Sequence, residues 1–135
     1  MSVHVRFRVG DETYAVPVEQ VLEVAEMGAL ARVPGSPPAV LGIRNLRGQV
    51  LPVVDLATVF GLERDPPPTR LVITESQGRR AGLAIDQVLD VGELPGAVHD
   101  SDSEFLAGAA LAEGDLVGVV DLESVYAAVE REVAA

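Results

Sequence analysis

Few side chains in this sequence could do chemistry, and their spacing limits what that chemistry could be. The histidines are His4 and His99. His4 alternates with Arg6 and Arg8 on the polar side of an edge-like first strand, and His99 lies in the loop VHDSDSE. A metal-binding or catalytic histidine needs partners converging on it, and neither HxxH nor HExxH spacing occurs. Both are read as solvent-exposed and structural. Asp100, Asp102 and Glu104 alternate as calcium ligands would, but no glycine stands at the sixth position and Phe105 follows at once. A solvated acidic loop, or an N-cap for SEFLAG, accounts for them. Asp55 and Asp121 occupy equivalent places in PVVDLATVF and GVVDLESVY, and two carboxylates brought together could share acid–base work. Each also stands where a helix N-cap belongs, and capping explains both more simply. With no cysteine there is no thiolate ligand or thiol nucleophile, and no GxSxG, P-loop or GxGxxG is present. The residues point to no enzyme, no metal and no cofactor.

One corner remains, in GIRNLRGQVLPVVDL from Gly42 to Leu56. Ile43 and Leu46 lead into a tight reversal at Arg47-Gly48, where glycine takes the positive φ that a side chain resists. A guanidinium beside a tight turn in an acidic protein seeks a carboxylate, and Glu23, with Glu19 and Glu26 near it in sequence, is the natural candidate. An exposed pair of this kind contributes well under about 1 kcal/mol, and Asn45 and Gly48 serve equally well as plain turn formers. Val50, Leu51, Val53 and Val54 then form an apolar strand with both faces largely covered. Pro52 interrupts it. Having no N–H to donate, it requires an edge, a bulge, or a ladder that its nitrogen does not face.

The elements that must position this corner come in two sets. VPVEQVLEV from Val16 aligns with LAIDQVLDV from Leu83, an offset of 67 residues (16 to 83), and GQVLPVVDLATVF from Gly48 aligns with GDLVGVVDLESVY from Gly114, an offset of 66 (48 to 114). Self-similarity on this scale predicts two similar lobes, each of about five short strands and a helical turn, related by pseudo-twofold symmetry. The boundary is expected near residue 65, in the stiff stretch ERDPPPT, giving lobe one over about 1–65 and lobe two over about 66–135. Neither half would bury much alone, so the lobes are expected to share apolar surface. Within lobe one, Val3 to Val9 alternates as a half-buried strand, Thr13 to Val16 returns from a hairpin, a helical turn begins near Pro17, and Leu22 to Ala25 forms a third strand. Met27 to Pro38 reads as a long irregular loop. Lobe two brings strands at Leu71–Thr74 and Ala81–Ile85. It ends in an amphipathic helix with Asp121 as N-cap and Leu122, Val125, Val129 and Val133 on one face.

The 135 residues carry a formal charge of −11, with 48% hydrophobic against 23% charged side chains. That is globular, with room for a core, and the charge repels phosphate backbones, which makes nucleic acid a poor partner. The start MSVHVRF has no basic n-region or apolar h-region, and no apolar run approaches 18 residues. A cytosolic, unprocessed protein is expected.

EQVLEV, RVPGSPPAVLGIRNLRGQVLPVVDL, DQVLDV and FLAGAALAEGDLVGVVDL, in that order, resemble the CheW family of bacterial chemotaxis coupling proteins from about Val3 to Val129. The resemblance implies a mostly β fold of two five-stranded, Src-homology-3-like small barrels with short helices and a C-terminal helix. It further implies a non-catalytic adaptor that links the cytoplasmic tips of methyl-accepting chemoreceptors to the regulatory domain of the histidine kinase CheA. Such a protein would work in the cytoplasm, at receptor clusters on the inner face of the membrane, with other CheW-like modules as further partners. Two alternatives stand beside this reading: a divergent CheW-like paralogue binding only one of these partners in another pathway, and an unrelated two-barrel ligand-binding or hydrolytic protein. Carried over by the resemblance, Asn45, Leu46, Arg47 and Gly48 match the family signature and Glu23 the acidic partner of its arginine. Val21 and Gly42 match positions tied to receptor and kinase coupling. A groove for a receptor helix would be lined by residues such as Val18 and Val21, and the stretch from Leu30 to Val33 corresponds to the region facing the kinase.

Overall fold

A computed structural model describes residues 3–63, 66–94 and 103–134. Among them, ten strands, a short helix and a longer C-terminal helix follow one another: β1 (Val3–Val9), β2 (Glu12–Pro17), β3 (Val21–Glu26), β4 (Val40–Leu46), β5 (Gln49–Asp55), α1 (Leu56–Val59), β6 (Arg70–Ser76), β7 (Arg79–Ile85), β8 (Gln87–Glu93), β9 (Leu106–Ala112), β10 (Asp115–Val120) and α2 (Leu122–Ala134). A single 3-10 turn, Val18–Gln20, separates β2 from β3 where Pro17 predicted a helical turn. The strands build two five-stranded sheets, in the orders β8-β1-β2-β10-β9 and β3-β6-β7-β5-β4.

The two copies of the repeat are thus β1–α1 and β6–α2, but the sheets do not follow them. Each sheet takes its leading hairpin from one copy (β1-β2 or β6-β7) and its other three strands from the other copy (β8–β10 or β3–β5). A division at residue 65 therefore separates the repeats and not the sheets. The repeat period reports where equivalent strands lie along the chain, and hydrogen bonding alone decides which of them pair. Equivalent joints recur in both sheets: β2 runs parallel to β10 from Thr13 to Ala15, and β5 runs parallel to β7 from Val53 to Asp55.

Among the described residues three apolar cores result. The largest lies between the sheets and unites Phe7, Val9, Tyr14 and Val16 with Val54, Val72, Leu83 and Ile85, sealed by Leu122, Val125 and Tyr126 of α2. This is the shared surface that the small halves require. The second sheet wraps its own interior of Leu51, Val53, Leu71, Ile73 and Ala84, and the first wraps a smaller one of Ala15, Ala112 and Val117. Alternation along β1 explains the division: Phe7 and Val9 face the shared core, with Val5 buried on the same side opposite Val16, while His4, Arg6 and Arg8 face the other way. His4 is not exposed as expected but 6% accessible, because β1 runs between β8 and β2 and is no edge. His99, Asp100 and Asp102 lie outside the described residues.

Both sheets curl. In the second, β3 and β4 stand at opposite ends of the order, yet the chain beyond β3 returns to β4. There Ala31 and Ile43 exchange N–H···O=C hydrogen bonds of 3.0 and 2.8 Å, and the five strands close into a small barrel. In the first, Leu94, just past β8, packs on Ala112 and Val117 at the far end. The same bonds explain Pro52. Ile43, its register partner, directs its backbone groups to Ala31, so the pair is a non-hydrogen-bonded one and the proline nitrogen points toward β7. Pairing with β7 begins only at Val53, so no donor is missed although the strand is interior.

Asp55 and Asp121 each cap the helix that follows. Asp55 accepts from the Ala57 N–H (3.2 Å) and the Thr58 hydroxyl (3.0 Å), and Asp121 from the Ser124 N–H (3.3 Å) and hydroxyl (3.0 Å). Among the described residues no helix is long and apolar enough to cross a membrane.

Candidate functional site

The Arg47 corner is a two-residue hairpin between β4 and β5. Arg47 and Gly48 have φ of +50° and +85°, the signs of a type I′ turn, whose twist suits the flanking strands. The glycine was expected to take a positive φ; the arginine before it does so too, at some cost in strain. Asn45 supports the turn by accepting from the Gly48 N–H through Oδ1 at 3.0 Å. The Arg47 guanidinium is bonded to the Glu23 carboxylate, joining the β4–β5 turn to β3, the strand at the other end of the sheet order. The pair thus ties the barrel across the seam that Ala31 and Ile43 close with backbone bonds. The Arg47 side chain is 70% exposed and that of Glu23 32%, so the pair adds at most about 1 kcal/mol to stability. A cation held this lightly in one place is available to a partner.

The other expected site residues take different positions. Val18 and Val33 are exposed. Val21 packs partly buried against the shared core, and Leu30 and Leu46 against the interior of the second barrel. Gly42 is buried and cannot itself be touched by a partner. Its φ is +155°, and a Cβ built on it would lie 2.7 Å from the Ala31 carbonyl oxygen and 3.2 Å from the Leu30 Cβ. The position is glycine because the loop lies directly on it.

Sequence reasoning missed several exposed apolar residues, at the corner and at equivalent places in the other sheet. Leu22 and Val24 flank Glu23 on β3 and are exposed, as are Leu89 and Val91 on β8. Val24 stands opposite Val72, and Val91 opposite Val5; Val72 belongs to the shared core and Val5 is buried on the same side of β1. The edge strands therefore carry the core-facing side of each sheet past the cover of the other, leaving apolar rims. Val50 and its repeat equivalent Leu116 are 63% and 65% exposed. The signal was present: VLEV places apolar side chains on both faces of a strand, which only a covered edge or a binding edge accommodates.

The ion pair has a counterpart in the other half of the repeat. Asp90, equivalent to Glu23, takes a two-pronged bond from Arg6, Nε to Oδ1 and Nη2 to Oδ2, both 2.6 Å. The hydrogen bonds with Asp90, joined by the charge of Glu113, hold the Arg6 guanidinium above its ordinary pKa. Glu113, with φ of +53°, occupies the turn place that Arg47 holds in the first copy. One copy thus presents a cation at its turn and the other an anion.

At the far end, the β6–β7 hairpin fastens α2. Arg79 bonds Glu123 and Glu130 (2.6 Å to the latter) and lies 5.4 Å from the centre of the Tyr126 ring. Beneath it Thr74 donates to the Ala81 carbonyl (2.9 Å) and, its single proton so used, accepts from the Tyr126 hydroxyl at 2.6 Å. Burial pushes the Tyr126 phenol above its usual pKa, and pushes that of Tyr14 up to about 12. Among the described residues no group of three or more His, Cys, Asp or Glu side chains gathers to hold a metal. The arrangement offers surfaces, turns and charges.

The CheW-like domain family matches residues 4–130. The chain is 32% identical to the chemotaxis protein CheW of Rhizobium meliloti (strain 1021), over 96% of this chain and 90% of that one. It is 41% identical to protein FrzA of Myxococcus xanthus, over 84% and 71% respectively. The crystal structure of the scaffolding protein TtCheW from Thermoanaerobacter tengcongensis superimposes with a TM-score of 0.78 at 30% identity, covering 90% of this chain and 84% of that one.

Proposed function

This chain belongs to the CheW-like domain family, and from that membership we propose that it is a non-catalytic chemotaxis adaptor that joins the cytoplasmic tip of a chemoreceptor to the regulatory domain of the histidine kinase CheA. Its place of work on this reading is the receptor cluster at the inner face of the membrane. The observation that carries the reading is the exposed Glu23–Arg47 pair set among uncovered apolar side chains. Such a pair contributes little to the fold, whereas apolar groups around a fixed guanidinium are the usual makings of a contact surface. A receptor helix docks along the apolar rim of Val18, Val21, Leu22 and Val24, with Arg47 and Glu23 fixing its register. Asn45, Leu46 and Gly48 shape the turn that holds Arg47 out, and Gly42 acts from beneath through the loop it supports. The kinase domain meets the loop that carries Leu30 and Val33; Leu30 anchors it and Val33 faces outward.

The test is titration of purified chain against a receptor-tip peptide and the CheA regulatory domain of the same genome. Arg47→Glu should weaken at least one complex about tenfold, the scale of a contact worth about 1.4 kcal/mol, while shifting the melting temperature by less than about 3 °C. Affinity unchanged for both partners would sink the assignment. A second reading, a divergent paralogue that binds one of these partners in another pathway, is favoured by the 41% identity to a family member named FrzA. Binding to one partner alone would select it.

A further inference from the structure

Arg44, which neither the sequence pattern nor the turn signature singles out, lies at the junction between the corner and the loop after β3. Its Nε donates to the Met27 carbonyl at 3.1 Å and its Nη1 to the Asn45 carbonyl at 2.6 Å. Met27 begins the loop that carries Leu30 and Val33, and Asn45 begins the turn that carries Arg47. One guanidinium therefore spans the two. Gly28 makes room for it: its φ is +64°, and a Cβ there would lie 2.6, 2.8 and 2.9 Å from Nε, Cζ and Nη2 of Arg44. The planar group thus lies flat against the loop backbone, a placement that a lysine cannot reproduce with its single nitrogen. Beyond it, the Ala31–Ile43 bonds and a 2.9 Å bond from the Val40 N–H to the Pro37 carbonyl hold the loop to β4.

We propose that Arg44 is a positioning residue that fixes the loop of Leu30 and Val33 relative to the Arg47 turn, so that the two surfaces assigned to different partners are held as one rigid unit. The inference rests on the assignment of that loop to the kinase domain. Its side-chain hydrogen bonds go to the backbone of these two segments, at Met27 and Asn45, and the test separates that local role from one in overall stability.

The test has two arms. Hydrogen exchange of the whole chain should show the Ala31 and Ile43 amides exchanging about tenfold faster in Arg44→Met, the factor expected for loss of a charge-assisted hydrogen bond of about 1.4 kcal/mol. Amides of β6 and β7 should be unchanged. Gly28→Ala should reproduce the effect, and in the Arg44→Met background it should add less than it does alone, since its clash is with the guanidinium. In the second arm, Arg44→Met and Arg44→Lys should weaken the CheA regulatory domain complex by a similar factor, with Leu30→Ser as reference. Equal exchange rates in parent and variant would overturn the positioning role. Faster exchange with undiminished affinity, where Leu30→Ser does lose affinity, would overturn its bearing on the partner. Undiminished affinity in Leu30→Ser as well would show instead that the loop had been assigned to the wrong partner, with the exchange result deciding the positioning role by itself.

Discussion

Gly42→Ala gives the sharpest test of how the second barrel closes. The alanine must adopt a φ of +155°, which costs a side-chain-bearing residue about 1 kcal/mol or more. Its Cβ would also lie 2.7 Å from the Ala31 oxygen, so the loop must back away by several tenths of an ångström. That movement weakens the two hydrogen bonds, 3.0 and 2.8 Å, between Ala31 and Ile43, each contributing about 1 kcal/mol. Together the loss is about 3 kcal/mol, or about 10 °C in melting temperature for a chain of this size. Thermal unfolding followed by circular dichroism reads it directly. Gly92→Ala is the control: it lies in a strand with nothing within 4 Å of the new Cβ and should change stability by less than about 0.5 kcal/mol. A Gly42→Ala melting point within about 2 °C of the parent would refute the account of the seam. Weaker partner binding in this variant should follow the loosened loop, since the glycine itself is covered.

Thr74→Val removes the acceptor of the buried Tyr126 hydroxyl and should cost about 1–3 kcal/mol in urea denaturation, whereas Thr74→Ser, which keeps the hydroxyl, should cost less. Arg79→Met releases α2, through Glu123 and Glu130, from β7 and should speed amide exchange within the helix with little change in overall stability, the pairs being exposed. Tyr14 makes stability depend on alkaline pH. Its folded pKa is raised to about 12 above an unfolded value of about 10, so its contribution is fully present below about pH 10 and is lost as pH rises toward 12. Urea midpoints at pH 9 and 11 should fall in the parent, and fall less in Tyr14→Phe.

Much of the architecture was legible because it is written in local patterns. Alternation located β1 and β2, X-Gly pairs marked the turns, and aspartate before an apolar run marked both helix starts. The repeat gave two equivalent sets of strands. What it could not show was their exchange, since pairing between distant strands leaves no trace in spacing. The same limit misplaced His4: whether a polar-facing position in a strand meets water depends on which strands lie beside it. At the site, Glu23 and Arg47 were readable as opposite charges in need of each other. Gly42 was readable as significant but not as buried, and Arg44 was invisible because its partners are backbone carbonyls, which every residue possesses.

The interchange of three strands between the halves has a consequence for how such a molecule can exist at all. A chain holding one copy of the repeat could complete a sheet only by borrowing from a second chain, and the borrowing would be mutual, so the half-length form is an obligate pair of identical subunits about a true dyad. Both ends of that pair would carry the same turn. Joining the copies in one polypeptide releases them from that identity, and here they have parted to the extent of arginine at one turn and glutamate at the other. Fusion thereby turns a symmetric object into a link with two different ends.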